Sequence, residues 1–260
     1  MLKKNLSQNL IKDKKILRKM VQLANVTKDD TVVEIGTGHG DLTRAICERA
    51  GFVHSVELDR SFRGRLGPLE EECENLKIHF GDFLKMFLSE FTGEGKVKVI
   101  GNIPYGITGP ILFKLVEERD CVSGAYLTAQ KEIGQRLVSP SHRRTYGALS
   151  VICRLVGDVK ILLNLKPGVF FPPPKVDSVY FSMVFGDASR YVDHGLMEFV
   201  RRCFENKRKY LTYALSKYYR EERTTALYAA MGFSPSIRAE EIEPEQFVEM
   251  YRRLNRQNDI

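Results

Sequence analysis

The chain has 260 residues, 43% of them hydrophobic and 28% charged, which suits one large α/β domain plus a smaller one, with a core that needs no covalent staples. A net charge of +7 points to a polyanionic partner. The five scattered cysteines (Cys47, Cys73, Cys121, Cys153, Cys203) include no CxxC pair, no apolar run reaches the length of a membrane span, and the basic N-terminus lacks a signal peptide's apolar core; a disulfide framework, a metal site and a membrane protein are therefore not expected, and a reduced, cytoplasmic protein is.

In chain order, residues 1–19 carry seven basic side chains (Lys3, Lys4, Lys12, Lys14, Lys15, Arg18, Lys19) against Asp13 alone. Short β-branched runs then alternate with helical patterns, as in a parallel sheet wrapped by helices. The spacing predicts strands at Thr31–Ile35, Phe52–Glu57, Lys77–Phe80, Val97–Ile100 and near Ala125–Ala129, with helices near 41–50 and 110–118. Ser150–Leu165 and Ser178–Phe185 read as two more strands, joined by FFPPPK at 170–175 and pairing antiparallel because no helix separates them. The composition shifts at 186–189, and beyond it apolar residues recur at helical spacing in GLMEFVRRCF, YLTYALSKYY, TTALYAAMGF and EQFVEMYRRL. The expected fold is a seven-strand, mostly parallel Rossmann-like sheet over residues 1–186, followed by a small all-helical domain over 187–260. Segment 201–223 adds eight basic residues against three acids; it and the N-terminal run are candidates for polyanion contact or simply solvated helix faces.

Three strand ends carry the residues a nucleoside would need. Gly36-Thr-Gly38-His-Gly40 follows the first strand and opens a helix, and glycines there let a ligand approach the backbone. Glu57 ends the second strand, about 20 residues on, where a carboxylate accepts from ribose hydroxyls. Asp82 follows the third strand, placed to accept from an adenine amino group. Nicotinamide and flavin enzymes use a similar loop, but their third glycine comes one residue later. The earlier glycine favours a cofactor without a pyrophosphate, such as S-adenosylmethionine.

Asn102-Ile103-Pro104-Tyr105 follows the fourth strand. An exocyclic amine such as adenine N6 is planar and a poor nucleophile, because its lone pair is delocalised into the ring. Two acceptors holding its N–H groups favour the tetrahedral geometry of attack. The Asn102 side-chain oxygen and the Ile103 carbonyl are candidates, with Pro104 stiffening the turn and Tyr105 offering a stacking face. Phe170 or Phe171 would supply the opposite face to a base removed from its stack, with Phe171 the better candidate for a core position.

Taken together, SQNLIKD (7–13), VVEIGTGHGDLT (32–43), VELD (56–59), GDF (81–83), GNIPYGITGPIL (101–112), QKEIGQRL (130–137), YGALSV (146–151), FFPPPKVDSV (170–179) and ENKRKYL (205–211) resemble the small-subunit (16S) ribosomal RNA adenine N6,N6-dimethyltransferases. The resemblance implies that S-adenosylmethionine is held by Asn9, Ile11, Gly36, Gly38, Glu57, Asp82 and Asn102, and that Tyr105 and Phe170 clamp a flipped adenine. It further implies that the substrate is two adjacent adenines in a hairpin loop near the 3′ end of small-subunit rRNA, and that the enzyme works as a monomer on the immature small subunit in ribosome biogenesis. The chain departs from the family at Ser7, Leu10 and Ile11, where Gly, Phe and Leu are usual, and at Gly106, where Asn is usual. The related erythromycin-resistance enzymes, which act on large-subunit rRNA, and a non-catalytic ribosome-assembly factor are the competing readings.

Overall fold

The computed structural model describes residues 9–93, 95–186 and 192–255. Lys3, Lys4, Ser7, Gln8 and most of the composition shift at 186–189 therefore lie outside the described residues. Contacts divide the chain into two units, one of residues 1–134 and 158–185, the other of 135–157 and 186–260.

The first unit opens with β1 (Leu10–Ile11) and α1 (Lys14–Leu23). Asp13 caps α1, accepting from Lys15 N at 2.8 Å and Ile16 N at 3.3 Å, and Leu17, Met20 and Val21 bury one helical stripe. Then come β2 (Thr31–Ile35), α2 (Asp41–Cys47), β3 (Phe52–Glu57), α3 (Arg63–Glu72), β4 (Leu76–Phe80), β5 (Val97–Gly101), α4 (Thr108–Glu117) and β6 (Val122–Gln130). After α5 (Lys131–Leu137) and α6 (Ala148–Val156), the chain adds β7 (Gly157–Leu165), β8 (Phe170–Phe171) and β9 (Ser178–Phe185). Seven strands form one sheet in the order β4-β3-β2-β5-β6-β9-β7. Pairings among β4, β3, β2, β5 and β6 are parallel, and β9 joins β6 antiparallel. The strand order reverses about β2, so the crevice beyond the carboxyl ends of β2 and β5 is the topological switch point where open α/β sheets take ligands. Gly101 is required there, because a Cβ would lie 2.8 Å from the Ile35 carbonyl oxygen.

Two features correct the expectation. Ser150–Val156 is not strand but the body of α6. Its β-branched residues suggest extension, yet Val151, Ile152 and Val156 fall on one buried helical stripe. Residues Leu10–Ile11 and Phe170–Phe171 form a separate two-stranded antiparallel sheet that no periodicity announces.

The second unit holds α6 with α7 (His194–Phe204), α8 (Leu211–Leu215), α9 (Glu221–Met231) and α10 (Pro244–Asn255). It therefore differs from the expected 187–260, because residues 135–157 pack with the C-terminal helices. Tyr146 is wholly buried and donates to the Ile242 carbonyl at 2.8 Å, while Lys207 Nζ donates to the carbonyls of Arg144 and Tyr146, each at 2.6 Å.

Candidate active site

The carboxyl ends of β2, β3, β4 and β5 border a cleft whose walls include Asn9, Gly36, Gly38, Glu57, Asp82 and Asn102. Of the eleven residues predicted for the site, these six and Pro104 line it directly. Leu10, Leu58, Phe83, Leu84, Ile107 and Ile111 supply apolar walls that the sequence did not single out.

The glycine loop folds as it does because three of its residues have left-handed backbone: Gly36 (φ 83°), Gly38 (φ 56°) and Gly40 (φ 84°). A Cβ on Gly38 would lie 2.8 Å from Leu10 Cδ2, so β1 rests directly on the loop. Beneath it, Thr37 and Ser55 share a 2.6 Å hydrogen bond, and Ser55 and Thr43 donate to Glu34 Oε2 at 2.5 and 2.7 Å. Glu34 is wholly buried, and that burial pushes its carboxyl up to about 8.

Glu57 is held differently. Gly38 N–H donates to Oε2 at 2.8 Å and Asp59 N–H donates to Oε1 at 2.7 Å. Burial raises its pKa, and backbone N–H groups, those of Asp59 and Gly38 foremost, oppose the rise. One donor per oxygen leaves each oxygen a further acceptor site. Asp82 Oδ1 accepts from Leu84 N at 3.0 Å, which caps a short 3₁₀ turn and sets the carboxylate at the cleft wall.

The Asn102–Tyr105 turn is tied down at both ends. Asn102 Nδ2 donates to the Asn9 carbonyl at 2.7 Å, and Thr128 Oγ1 donates to Asn102 Oδ1 at 2.8 Å. Ile103 buries its side chain, and the half-buried Tyr105 shares a 2.6 Å hydrogen bond between its hydroxyl and that of Ser178. Burial raises the pKa of Tyr105, so its hydroxyl stays protonated near neutrality.

Two predicted residues are placed otherwise. Ile11 does not line the main cleft; it borders an adjoining recess with Leu10, Gly36, His39 and Asn102. Phe170, expected to face a base, is 4% exposed and packs in the core, while Phe171, the ring expected inside, is 51% exposed. The pairing explains this reversal. Phe170 lies opposite the buried Ile11 and Phe171 opposite Leu10, and successive strand residues point to opposite faces. The exposed Phe171 ring carries Lys12 Nζ at 3.6 Å from its centroid.

A sequence model of the family described as ribosomal RNA adenine dimethylase matches residues 1–256. The chain belongs to that family. It is accordingly an S-adenosylmethionine-dependent rRNA adenine dimethyltransferase, with the α/β fold and the cofactor that its sequence leads one to expect. Among relatives of the rRNA adenine dimethylase family, it is 36% identical over 252 residues to the ribosomal RNA small subunit methyltransferase A of Francisella tularensis subsp. tularensis (strain WY96-3418), covering 95% of each chain. It is 37% identical over 253 residues to the protein of the same name from Chlorobium phaeobacteroides (strain BS1), covering 97% of this chain and 93% of that one. The crystal structure of a dimethyladenosine transferase from Plasmodium falciparum superposes with a TM-score of 0.81 at 25% identity, covering 93% of this chain and 95% of that one. That of the 23S rRNA methyltransferase ErmE does so with a TM-score of 0.70 at 23% identity, over 95% and 100% of the two chains; at that identity the likeness is one of fold. Among the described residues, no helix is long and apolar enough to cross a membrane.

Proposed function

We propose that the protein dimethylates N6 of two adjacent adenines in a hairpin loop near the 3′ end of small-subunit rRNA, acting as a monomer on the immature subunit during ribosome biogenesis. The observation that carries this reading is the fixed acceptor in the cleft. Asn102 has its amide oriented by two hydrogen bonds and lines the same cleft as Gly36, Glu57 and Asp82. The names of the relatives favour the small subunit over the large.

The cleft fits S-adenosylmethionine on its own geometry. Positive-φ glycines leave its floor without Cβ atoms, Glu57 keeps acceptor capacity on both oxygens for a ribose diol, and Phe83, Leu84 and Ile111 give apolar faces for a purine beside Asp82. When bound, the cofactor supplies a methyl group activated by the attached sulfonium. Asn102 Oδ1 and the Ile103 carbonyl accept from the N6 hydrogens and favour tetrahedral geometry at the nitrogen, which localises its lone pair for attack on the methyl group. Tyr105 supplies a ring face, and its hydroxyl, engaged with Ser178, takes no part as a base. The methylated amine loses its proton readily to solvent, so catalysis is mainly alignment.

The basic segments hold the RNA backbone. In 201–223, Arg202, Lys207 and Lys217 are ion-paired with Glu198, Glu240 and Glu205, while the exposed Arg208, Lys209 and Arg220 have no ion-pair partner among the described residues. RNA affinity should fall steeply with salt, as phosphate contacts release counterions.

The test incubates the protein with radiolabelled S-adenosylmethionine and small subunits lacking the dimethyladenines, with large-subunit RNA in parallel and Asn102→Ala as control. Dimethyladenosine confined to small-subunit rRNA and formed far more slowly by the variant is the expected result. Label in large-subunit RNA alone would move the protein to the resistance class, and no label on either RNA, with normal cofactor binding, would make it an assembly factor.

A further inference from the structure

The orientation of Asn102 is enforced by a residue outside every motif of the sequence. The Asn9 carbonyl can only accept, so the end of the amide beside it must be the NH₂ group, and the oxygen must face Thr128. That polarity makes the Thr128 hydroxyl the donor, leaving Oδ1 one further acceptor site. Thr128 is wholly buried on β6.

Its position on the sheet is equally fixed. Thr128 pairs with Tyr180 on β9, and two residues along, Gln130 pairs with Ser178. Residues two apart on a strand share a face, so Thr128 and Ser178 project from one face of the antiparallel β6–β9 ladder. From there they hold Asn102 and Tyr105 respectively, at 2.8 and 2.6 Å. The motif turn is thus gripped by two buried hydroxyls from neighbouring strands.

We infer that Thr128 is a positioning residue for methyl transfer: its buried hydroxyl fixes the side-chain amide of Asn102 so that the remaining acceptor site of Oδ1 meets the target amine. This rests on the catalytic reading of Asn102 proposed above. Thr128 touches neither cofactor nor base in this scheme and acts only through Asn102. Removing the hydroxyl while keeping the shape frees the amide oxygen to drift, and in a reaction that depends on alignment the loss falls on turnover.

The experiment uses the full chain, unmodified small subunits and radiolabelled S-adenosylmethionine, comparing Thr128→Val, Thr128→Ser and Asn102→Ala with wild type. Thr128→Val should lower kcat about tenfold, the equivalent of one hydrogen bond of ~1.4 kcal/mol. KM for the subunit and Kd for S-adenosylhomocysteine should stay within about twofold. Thr128→Ser, which keeps the hydroxyl, should restore kcat to within about twofold of wild type. In the Asn102→Ala background, Thr128→Val should add nothing, because the partner it acts through is gone. Thr128→Ala repeats the measurement with less bulk if valine impairs folding. Wild-type kcat in Thr128→Val alongside a slow Asn102→Ala would overturn the role of Thr128 alone. So would a loss that serine fails to rescue, or one that multiplies with Asn102→Ala. Full activity in Asn102→Ala would overturn the catalytic reading first, and the inference with it.

Discussion

Glutamine at position 57 keeps the shape of glutamate but halves its acceptor oxygens. In the native cleft each carboxylate oxygen takes one backbone N–H, Gly38 at 2.8 Å and Asp59 at 2.7 Å. In Glu57→Gln, either orientation of the amide turns its NH₂ group toward one of those donors. One charge-assisted hydrogen bond is lost, worth about 1.5–3 kcal/mol. Burial already raises the pKa of Glu57, so removing the charge recovers part of the desolvation cost and the stability loss should stay near ~1 kcal/mol. On the proposal that Glu57 holds the cofactor, binding has no such compensation, because one of the two acceptors offered to the ribose diol disappears. At 1.4 kcal/mol per decade, Kd for S-adenosylhomocysteine should weaken about 10- to 150-fold. Titration calorimetry at pH 7.5 measures it, with urea denaturation confirming that the variant is folded. Wild-type affinity should also fall as pH drops through the raised pKa of Glu57, since protonation removes an acceptor, whereas Glu57→Gln should show no such dependence. A variant binding within threefold of wild type would refute the reasoning that Glu57 holds the cofactor.

Two further perturbations probe the support of the loop. Glu34 is pushed up to about 8, so the folded chain keeps a proton that the unfolded chain releases near 4.5; its contribution to stability declines as pH rises from 4.5 to 8. Glu34→Gln should remove that slope, gaining on wild type toward pH 8 in urea denaturation midpoints, and a wild-type–variant difference that is the same at pH 5 and pH 8 would contradict it. Gly40→Ala meets left-handed backbone at φ 84° and drives a Cβ into Leu69 Cδ2, whereas Gly36→Ala meets similar backbone with the Asn102 carbonyl oxygen 3.9 Å away. Both should lose about 1–2 kcal/mol to backbone strain, with Gly40→Ala losing ~1 kcal/mol more for displacing Leu69; thermal melts showing equal losses would rule out the packing contribution.

Legibility in the sequence followed the length of the signal. Strands β2 and β3 were readable to the residue, because each is a short valine-bearing run closed by turn residues. Glu57, Asp82 and Asn102 were legible because a strand end in this topology points to the crevice. The segment 150–156 was not, since a short run of Val, Ile and Leu suits a strand or a buried helical stripe equally until its packing partners are known. The two-residue strands β1 and β8 are too short for any periodicity to show, and they decide which of Phe170 and Phe171 is buried. Asn9 lies in a motif, but it holds Asn102 through its backbone carbonyl, which any residue would supply. Thr128 depends on the β5–β6 register, which pairs Gly101 with Leu127 and so sets Thr128 beside Asn102, a property of the pairing and not of the run AYLTAQ.

The polar groups of the cleft share a physical logic. Glu57, Asp82 and Asn102 are each engaged by protein donors within the unit, Glu57 and Asp82 by backbone N–H groups and Asn102 by the Thr128 hydroxyl. None depends on a mobile surface side chain for its orientation. For a reaction whose barrier is lowered chiefly by holding amine, methyl and leaving sulfur in line, orientation fixed before binding is where rate enhancement can reside, because no reorganisation remains for the reacting state. The buried Glu34, Ser55 and Thr37 network extends that rigidity beneath the glycine loop. Substitutions that leave volume intact and remove one orienting donor should therefore slow turnover far more than they loosen the fold, and Thr128→Val is the cleanest of them.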